Sequence, residues 1–201
     1  MQKLEMLLFV LCVFGSCVHV GAEEYHEAYL CGYPDGSFRA EQPLTRQELA
    51  MMLYRLLPEQ ARQSARTQNA FADVVRGDWA YTAISAVTGL GVIAGEEDAF
   101  FEPEKSVSER ELTQILRDAQ TLCLWPQLSA PDGLRDDALT RARAVAILNQ
   151  SFSRQADDDF VGTKQFWDVP TGAWYRQAVT EAANAHTFVR SGDKEIWTGA
   201  G

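Results

Sequence analysis

The chain has 201 residues, of which 46% are hydrophobic and 23% are charged, and its formal net charge is −10. This length and composition suit a globular protein with one sizeable core. The acidic balance argues against a nucleic acid partner, because phosphate contacts need a basic surface, and any anionic ligand would need a local basic pocket.

Residues 1–22 have the features of a secretory signal peptide. Lys3 supplies a positive charge, residues 6–13 are apolar but too few to span a bilayer, and Val20-Gly21-Ala22 carries the small residues that signal peptidase accepts. We expect cleavage after Ala22 and a single mature domain over residues 23–201. The alternative is a lipoprotein signal that uses Cys17.

A capping box predicts the first helix of the mature chain. Thr45 and Glu48 have the spacing at which each side chain bonds the other residue's backbone amide. The apolar stripe that follows at helical spacing consists of Leu49, Met52, Leu53 and Leu56. Pro58 ends this helix, and polar residues 59–69 form a linker or a frayed helical extension.

Two further helices are predicted before residue 125. Asp78 is expected to cap a helix from Trp79 that ends near Gly89, with Ala83, Ile84 and Val87 facing inward. Ser108 and Glu111 form a second capping box. The residues that follow this box on one face are Leu112, Ile115 and Leu116.

The C-terminal third contributes two more predicted helices. Thr140 opens one, but Arg143 stands where Glu would complete the box, so this start should be weaker by up to about 1 kcal/mol. The last helix is expected from about Trp174 to Ala185. Because only short extended pieces near residues 91–94 and 188–190 are expected, the sequence predicts a mostly α fold.

Two cysteines remain after the predicted cleavage site, Cys31 and Cys123. In an exported protein they could form a disulfide. The alternative is a pair of small, buried thiols that pack as apolar side chains.

Three short motifs recur along the chain in a fixed order. One pairs Phe71-Ala72-Asp73 with Trp79, and again Phe166-Trp167-Asp168 with Trp174. A Gly/Asp turn with a following Phe covers residues 32–38 and again residues 95–103. Asp98 of the second turn has a counterpart 95 positions later, Asp193. The helix openings read TRQE from Thr45, SERE from Ser108 and TRAR from Thr140.

On these motifs the chain resembles S-layer homology (SLH) domains over roughly residues 28–199. The resemblance implies helical repeats around a pseudo-threefold axis, with short extended segments. The units lie at approximately residues 28–58, 69–122, 128–153 and 164–199. Three helices of the capped type but only two of the tryptophan type are expected, which leaves the family's pattern incomplete.

The resemblance implies that Arg46 and Arg141 bind an anionic cell-wall polysaccharide. Each lies in the first turn of its helix, where backbone amides attract anions and a guanidinium can bind a carboxylate in a bidentate way. The alternative is an arginine that pairs with a nearby carboxylate at a repeat interface. The equivalent position in the second capped helix is Glu109, which cannot bind an anion.

The other candidate ligand residues have structural alternatives. Trp79 and Trp174 could stack on a sugar face, although core packing is the favoured interpretation. Asp73 and Asp168 either hydrogen-bond a turn or cap the next segment, and the alternative is contact with a sugar hydroxyl. Asp35-Gly36 forms a tight turn that borders the family's binding groove.

No catalytic, cofactor or metal motif stands out. His26 and His186 lie far apart in sequence without metal-ligand spacing, and residues 157–159 lack the pattern of a calcium loop. A wall-active hydrolase is disfavoured, because no carboxylate pair is distinguished from the others.

Together with the lack of a distinguishing catalytic motif, the resemblance implies an exported, non-enzymatic bacterial surface protein. It would attach to the wall by binding an anionic, for example pyruvylated, secondary polysaccharide or a peptidoglycan-linked glycan, with no membrane span in the mature chain. The alternative is an exported structural or protein-interaction module that has lost glycan binding.

Overall fold

The structure is a computed structural model that describes residues 22–96, 99–132, 136–157, 163–192 and 194–200. Within these residues there are six helices: α1 (Arg46–Leu56), α2 (Glu59–Ser64), α3 (Tyr81–Gly89), α4 (Glu109–Thr121), α5 (Arg141–Ser151) and α6 (Arg176–Ala183). The strands are β1 (Glu24–His26), β2 (His186–Ser191) and β3 (Lys194–Ala200). The predicted signal peptide up to residue 21 lies outside the described residues, as do Asp98, Asp158, Asp159 and Asp193.

The three helix starts with side-chain caps are confirmed. In α1 the Thr45 hydroxyl accepts from the amide of Glu48, and the Glu48 carboxylate accepts from the amide of Thr45 at 3.0 Å, which completes the capping box. Ser108 caps α4 by accepting from the amide of Glu111, and Thr140 caps α5 in the same way. Residues 59–69 were expected to form a linker or a frayed helical extension, and the first six of them form the short helix α2.

The predicted starts of the two tryptophan helices are wrong by two residues. Asp78 does not cap α3 with its side chain; its carboxylate accepts from the amide of Val75 at 2.9 Å. Helix α3 begins at Tyr81 and α6 at Arg176, in both cases without a side-chain cap. Trp79 and Trp174 therefore precede their helices, so helical periodicity does not decide which way they face.

A closed ring of backbone hydrogen bonds joins the starts of the three capped helices. Leu44 donates to Leu139, Leu139 donates to Val107, and Val107 donates to Leu44, each at 2.8 Å. Each of these residues immediately precedes a cap, and all three side chains are buried. The ring fixes the N-termini of α1, α4 and α5 side by side at the centre of the fold.

The apolar faces of the same three helices supply the middle of the core. Their fully buried side chains include Leu49, Leu53, Leu112, Leu116, Val145 and Leu148. Burial of each such side chain stabilises the fold by roughly 1.5–3 kcal/mol. Helix α3 packs on α1, and α6 packs on α5. No helix in the described part of the chain is both long and apolar enough to cross a membrane.

A small antiparallel sheet joins the beginning of the described chain to its end. Strand β2 lies in the middle, with β1 and β3 on either side. The extended piece predicted near residues 188–190 is confirmed as part of β2, but residues 91–94 form a turn rather than a strand. In this sheet His26 lies directly opposite His186. Their distance in sequence therefore did not predict that the two side chains are neighbours in the fold.

Neither expectation for the cysteines holds. Cys31 and Cys123 are free, so they form no disulfide with each other, and both are exposed rather than buried. The sulfur of Cys31 accepts a hydrogen bond from the Arg55 guanidinium at 2.6 Å.

Candidate functional site

The aspartates of the tryptophan segments hold the Gly/Asp loops. The Asp73 carboxylate accepts from the amides of Phe101 at 2.9 Å and Glu102 at 2.7 Å. The Asp168 carboxylate accepts from the amides of Phe38 and Arg39, both at 2.7 Å. Glu102 and Arg39 both have a positive φ, which is unfavourable for residues with a side chain. Both aspartates therefore stabilise a turn, which was the structural alternative for them.

The phenylalanines of the same segments pack against glycines of the loops. A Cβ at Gly32 would overlap the ring of Phe166, and a Cβ at Gly95 would overlap the ring of Phe71. The absence of a side chain at these two glycines allows the loops to approach the aromatic rings closely.

The guanidinium of Arg46 is fully engaged by its surroundings. Its Nε donates to the carbonyl of Phe101 and one Nη to the carbonyl of Ala94, each at 2.8 Å. The other Nη pairs with the carboxylate of Glu111 and lies 3.1 Å from that of Glu96. The side chain is buried, so two carboxylates compete with any anionic ligand for it.

Arg141 has the same geometry but only one carboxylate partner. Its Nε donates to the carbonyl of Phe38 at 3.0 Å, and Nη1 pairs with Glu48 at 2.9 Å. Tyr33 replaces the second acid; its hydroxyl donates to the Glu48 carboxylate at 2.6 Å. Burial and this hydrogen bond raise the pKa of Tyr33 to about 12, so the hydroxyl stays protonated at neutral pH.

The third interface carries the same ion pair with its charges exchanged. Glu109 occupies the position of Arg46 and Arg141, and it pairs with Arg143 at 3.3 Å. Nε of Arg143 donates to one carboxylate oxygen of Glu109 and Nη2 donates to the other, each at 3.3 Å. The Arg143 that breaks the capping box in the sequence therefore completes an ion pair between α4 and α5.

The amides at the starts of α1 and α5 are already bonded. The amides of Arg46 and Gln47 donate to the carbonyls of Lys105 and Pro103. Those of Arg141 and Ala142 donate to the carbonyls of Gln42 and Ala40. Because these donors are used, the expected anion site at the free amides of a helix start is not available at either helix.

Trp79 and Trp174 are exposed, which contradicts the core-packing interpretation. Their exposed fractions are 58% and 63%. Trp167, which the sequence did not single out, is 74% exposed, and its indole nitrogen donates to the carbonyl of Asp35 at 3.1 Å. An exposed indole offers an apolar ring face to a ligand, and of these three tryptophans Trp79 is the one that lines the cavity described next.

One cavity brings several of the predicted residues together. It has a volume of about 540 Å³ and lies beside the starts of α1 and α5. Its lining includes Tyr33, Gln47, Glu48, Arg55, Trp79 and Arg141, and we call it the Trp79 cleft. Arg55 is the residue that sequence reasoning missed; within the described residues no carboxylate forms an ion pair with it.

The Asp35-Gly36 turn lies next to this cleft. The Asp35 carboxylate accepts from the amide of Ser37 at 2.9 Å and from its hydroxyl at 2.6 Å, and Gly36 has a φ of 78°. The bonds from Ser37, and a further one from Arg39, lower the pKa of Asp35 to about 2. The predicted tight turn is therefore present.

Comparison with known proteins agrees with the motifs. Residues 25–50 and 70–113 match the family model of the S-layer homology domain. The resemblance to this family is confirmed. The matched segments contain the start of α1, the whole of α3, both Gly/Asp loops and Trp79.

The curated relatives of this chain are named for the cell surface, for cellulosome anchoring or for a surface layer. Cell surface glycoprotein 1 of Acetivibrio thermocellus is 26% identical over 214 residues, covering 88% of this chain. The cellulosome-anchoring protein of the same organism is 26% identical over 201 residues, covering 84% of this chain. A surface layer protein of Brevibacillus choshinensis is 30% identical over 103 residues. The matches span 9% of the first relative's length and 44% of the second's.

Proposed function

We propose that this protein attaches non-covalently to the bacterial cell wall by binding an anionic secondary polysaccharide in the Trp79 cleft. The SLH match supports this proposal, as do relatives that are named for anchoring or for the cell surface. The same relatives support an exported, wall-associated and non-enzymatic protein. The observation that carries the proposal is an exposed tryptophan at the edge of a cavity with arginines in its lining.

The chemistry of the Trp79 cleft suits a charged sugar. The indole of Trp79 offers an apolar face for the C–H surface of a pyranose ring. The amide side chains of Gln42 and Gln47 line the cleft and suit sugar hydroxyls. Arg141 is neutralised by Glu48, so Arg55 is the guanidinium that we assign to the acidic group of the ligand.

The remaining predicted residues receive supporting roles in this proposal. Asp35, Gly36, Asp73 and Asp168 shape the loops. Arg46 holds the interface between α1 and α4 rather than the glycan. We also propose that the hydrogen-bond ring at Leu44, Val107 and Leu139 marks a pseudo-threefold axis, with one interface ion pair for each of its three sectors.

Co-sedimentation with purified cell-wall sacculi tests the proposal. We expect Trp79→Ala to weaken retention by about 5-fold or more, since loss of aromatic stacking on one ring costs roughly 1–3 kcal/mol. The single variant Arg55→Gln should also weaken retention of the protein by walls that keep their acidic groups. Its effect on retention should be smaller with walls from which those groups have been removed.

Trp174→Ala is the matched control, because Trp174 occupies the equivalent place in the other tryptophan segment and does not line the Trp79 cleft. Retention lost in Trp174→Ala and intact in Trp79→Ala would contradict the site assignment. Each variant should keep the helical circular dichroism of the parent.

The ion pairs favour a second candidate, an exported structural or protein-interaction module. Arg46 is neutralised by two carboxylates, and the third interface has its charges exchanged, so these helix starts no longer offer free cations. This candidate predicts that the parent protein does not bind sacculi and instead retains a protein partner from the cell surface.

A further inference from the structure

Four ionisable side chains that the proposed wall-binding site does not use meet beside the small sheet. They are His26 of β1, Glu181 of α6, His186 of β2 and Glu195 of β3, and we call them the sheet cluster. One nitrogen or oxygen atom from each lies within 4.8 Å of the others. Glu181, His186 and Glu195 are buried, and His26 is partly buried.

The two histidines and Glu181 leave polar atoms without hydrogen-bond partners inside the sheet cluster. Nδ1 of His186 lies 2.9 Å from the carbonyl of Asn184, so it carries the proton and leaves Nε2 with a lone pair. That Nε2 lies 3.3 Å from Oε2 of Glu181, and neither atom has a hydrogen-bond partner. Nδ1 of His26 is likewise unsatisfied and lies 3.3 Å from Oε1 of Glu181. Buried acceptors that face one another are unfavourable unless a proton or a metal cation lies between them.

Groups outside the sheet cluster hold its members in place. Arg154 donates to Oε1 of Glu181 at 2.8 Å, and Arg190 lies 2.9 Å from Oε1 of Glu195. The amide of Gln155 donates to Oε2 of Glu195 at 2.9 Å. The ring of Trp197 stacks on His186 with 3.7 Å between ring centroids. Such outer contacts, including a backbone carbonyl on the second nitrogen of a histidine, are typical of metal ligands.

We propose that the sheet cluster binds one Zn²⁺ ion in a closed, structural site. Zinc takes four ligands at about 2.0–2.2 Å from nitrogen or oxygen, so neighbouring ligand atoms lie roughly 3.4 Å apart. The separation of 3.3 Å between Nε2 of His186 and Oε2 of Glu181 is close to that value. Nδ1 of His26 lies 3.7 Å from Oε2 of Glu195, and one ligand atom from each of the four residues lies within 4.8 Å of the others. Two imidazoles suit zinc, whereas Ca²⁺ and Mg²⁺ prefer oxygen ligands alone.

The charges around the sheet cluster do not prevent this binding. Arg154 and Arg190 offset the two carboxylates, and each contacts Oε1 of its partner. Oε2 of Glu181 faces His186 without a hydrogen-bond partner, while Oε2 of Glu195 lies 3.7 Å from Nδ1 of His26 and also accepts from the amide of Gln155.

A zinc ion at the sheet cluster would join the two ends of the described chain. Its ligands come from β1, β2, β3 and α6, so one ion would fasten β1 to the C-terminal hairpin and both to the helical core. The expected role is stability rather than catalysis, because four protein ligands leave no position open for a substrate.

Zinc titration of the untagged, chelator-treated protein tests the proposal. The experiment needs a background of Cys31→Ser and Cys123→Ser, since both thiols are exposed and could bind zinc themselves. We expect one Zn²⁺ per chain by calorimetry and a rise in Tm of about 5–10 °C at a zinc concentration about 100 times Kd. Co²⁺ should give the visible absorption of a tetrahedral site.

Variants distinguish the sheet cluster from other zinc ligands. His26→Gln and His186→Gln should each weaken binding by about 100-fold or more, while Asp136→Asn, an exposed carboxylate paired with Arg110, should leave it unchanged. The proposal is overturned if the parent protein binds less than one zinc per chain, or if both histidine variants bind as tightly as the parent. If a histidine variant does not fold, the parent protein alone tests the proposal. One zinc per chain with a tetrahedral Co²⁺ spectrum supports the site, and the absence of either overturns it.

Discussion

At the scale of single residues, the ion pairs at the helix starts show that charge can be exchanged across an interface without loss of the contact. Arg46 pairs with Glu111 and Arg141 with Glu48, each across two helices. Glu109 and Arg143 form the same contact with reversed signs. The interface therefore depends on opposite charges at two fixed positions and not on which helix supplies the cation.

A charge-exchange cycle at the third interface tests this view. Glu109→Arg alone should lower the free energy of unfolding by roughly 1–3 kcal/mol, because it places two guanidinium groups together near a buried position. Adding Arg143→Glu should recover most of that loss, since it restores the pair and gives α5 the acidic residue of a capping box. Urea unfolding of the parent, both single variants and the double variant measures the coupling. A double variant no more stable than Glu109→Arg would refute this account.

At the scale of elements, the tryptophan segments and the Gly/Asp loops act as paired pieces. Each segment contributes an aspartate that bonds two loop amides and a phenylalanine that packs on a loop glycine. These contacts explain why the same motifs recur at a fixed spacing in the sequence. The tryptophan segment supplies the aspartate and the phenylalanine that stabilise the turn of the Gly/Asp loop.

The contact between Phe71 and Gly95 can be tested with a single methyl group. Gly95→Ala should lower the free energy of unfolding by roughly 1–3 kcal/mol, because the added Cβ would overlap the Phe71 ring. Gly172→Ala is the control, as nothing lies within 4 Å of a Cβ there, and it should change stability by less than about 0.5 kcal/mol. Thermal unfolding followed by circular dichroism compares the two. Equal effects in both variants would show that the contact does not determine stability.

The sequence predicted what depends on near neighbours along the chain. The capped starts of α1, α4 and α5 follow from residues three apart, so they could be read directly. The starts of α3 and α6 have no side-chain cap and could not be located. Trp79 was assigned to the core because it was counted as part of a helical stripe that in fact begins after it.

Contacts between distant segments could not be predicted in this way. The partners of Arg46 and Arg141 come from other helices, so the burial of both guanidinium groups depends on how the repeats pack. His26 and His186 meet only because β1 pairs with β2. Their side chains were dismissed as metal ligands on the basis of sequence spacing, which carries no information about strand pairing.

At the scale of the whole molecule, the hydrogen-bond ring links three helix starts into one unit. Leu44, Val107 and Leu139 each donate one bond and accept one, so the loss of any donor opens the ring. The surrounding residues form the core, in which Leu49, Leu112 and Val145 are fully buried. We therefore expect the described domain to unfold cooperatively, and we expect disruption of the ring to destabilise α1, α4 and α5 together.

Proline substitution separates the ring from its local surroundings. Val107→Pro removes the amide that donates to Leu44 and should lower the free energy of unfolding by about 3 kcal/mol or more. Ser106→Pro is the matched control, because Pro43 already occupies the equivalent position before Leu44, and Pro43 and Ser106 both form isolated bridges at the ring. It should change stability by less than about 1 kcal/mol, since proline is accommodated in this conformation.

Denaturant unfolding of the two proline variants should be followed by both tryptophan fluorescence and far-ultraviolet circular dichroism. If the ring is a shared element, Val107→Pro shifts both transitions together, because α1, α4 and α5 lose the same constraint at once. A shift confined to one signal would show that the helices unfold independently. An unchanged midpoint in Val107→Pro would show that side-chain packing alone holds the three helix starts together.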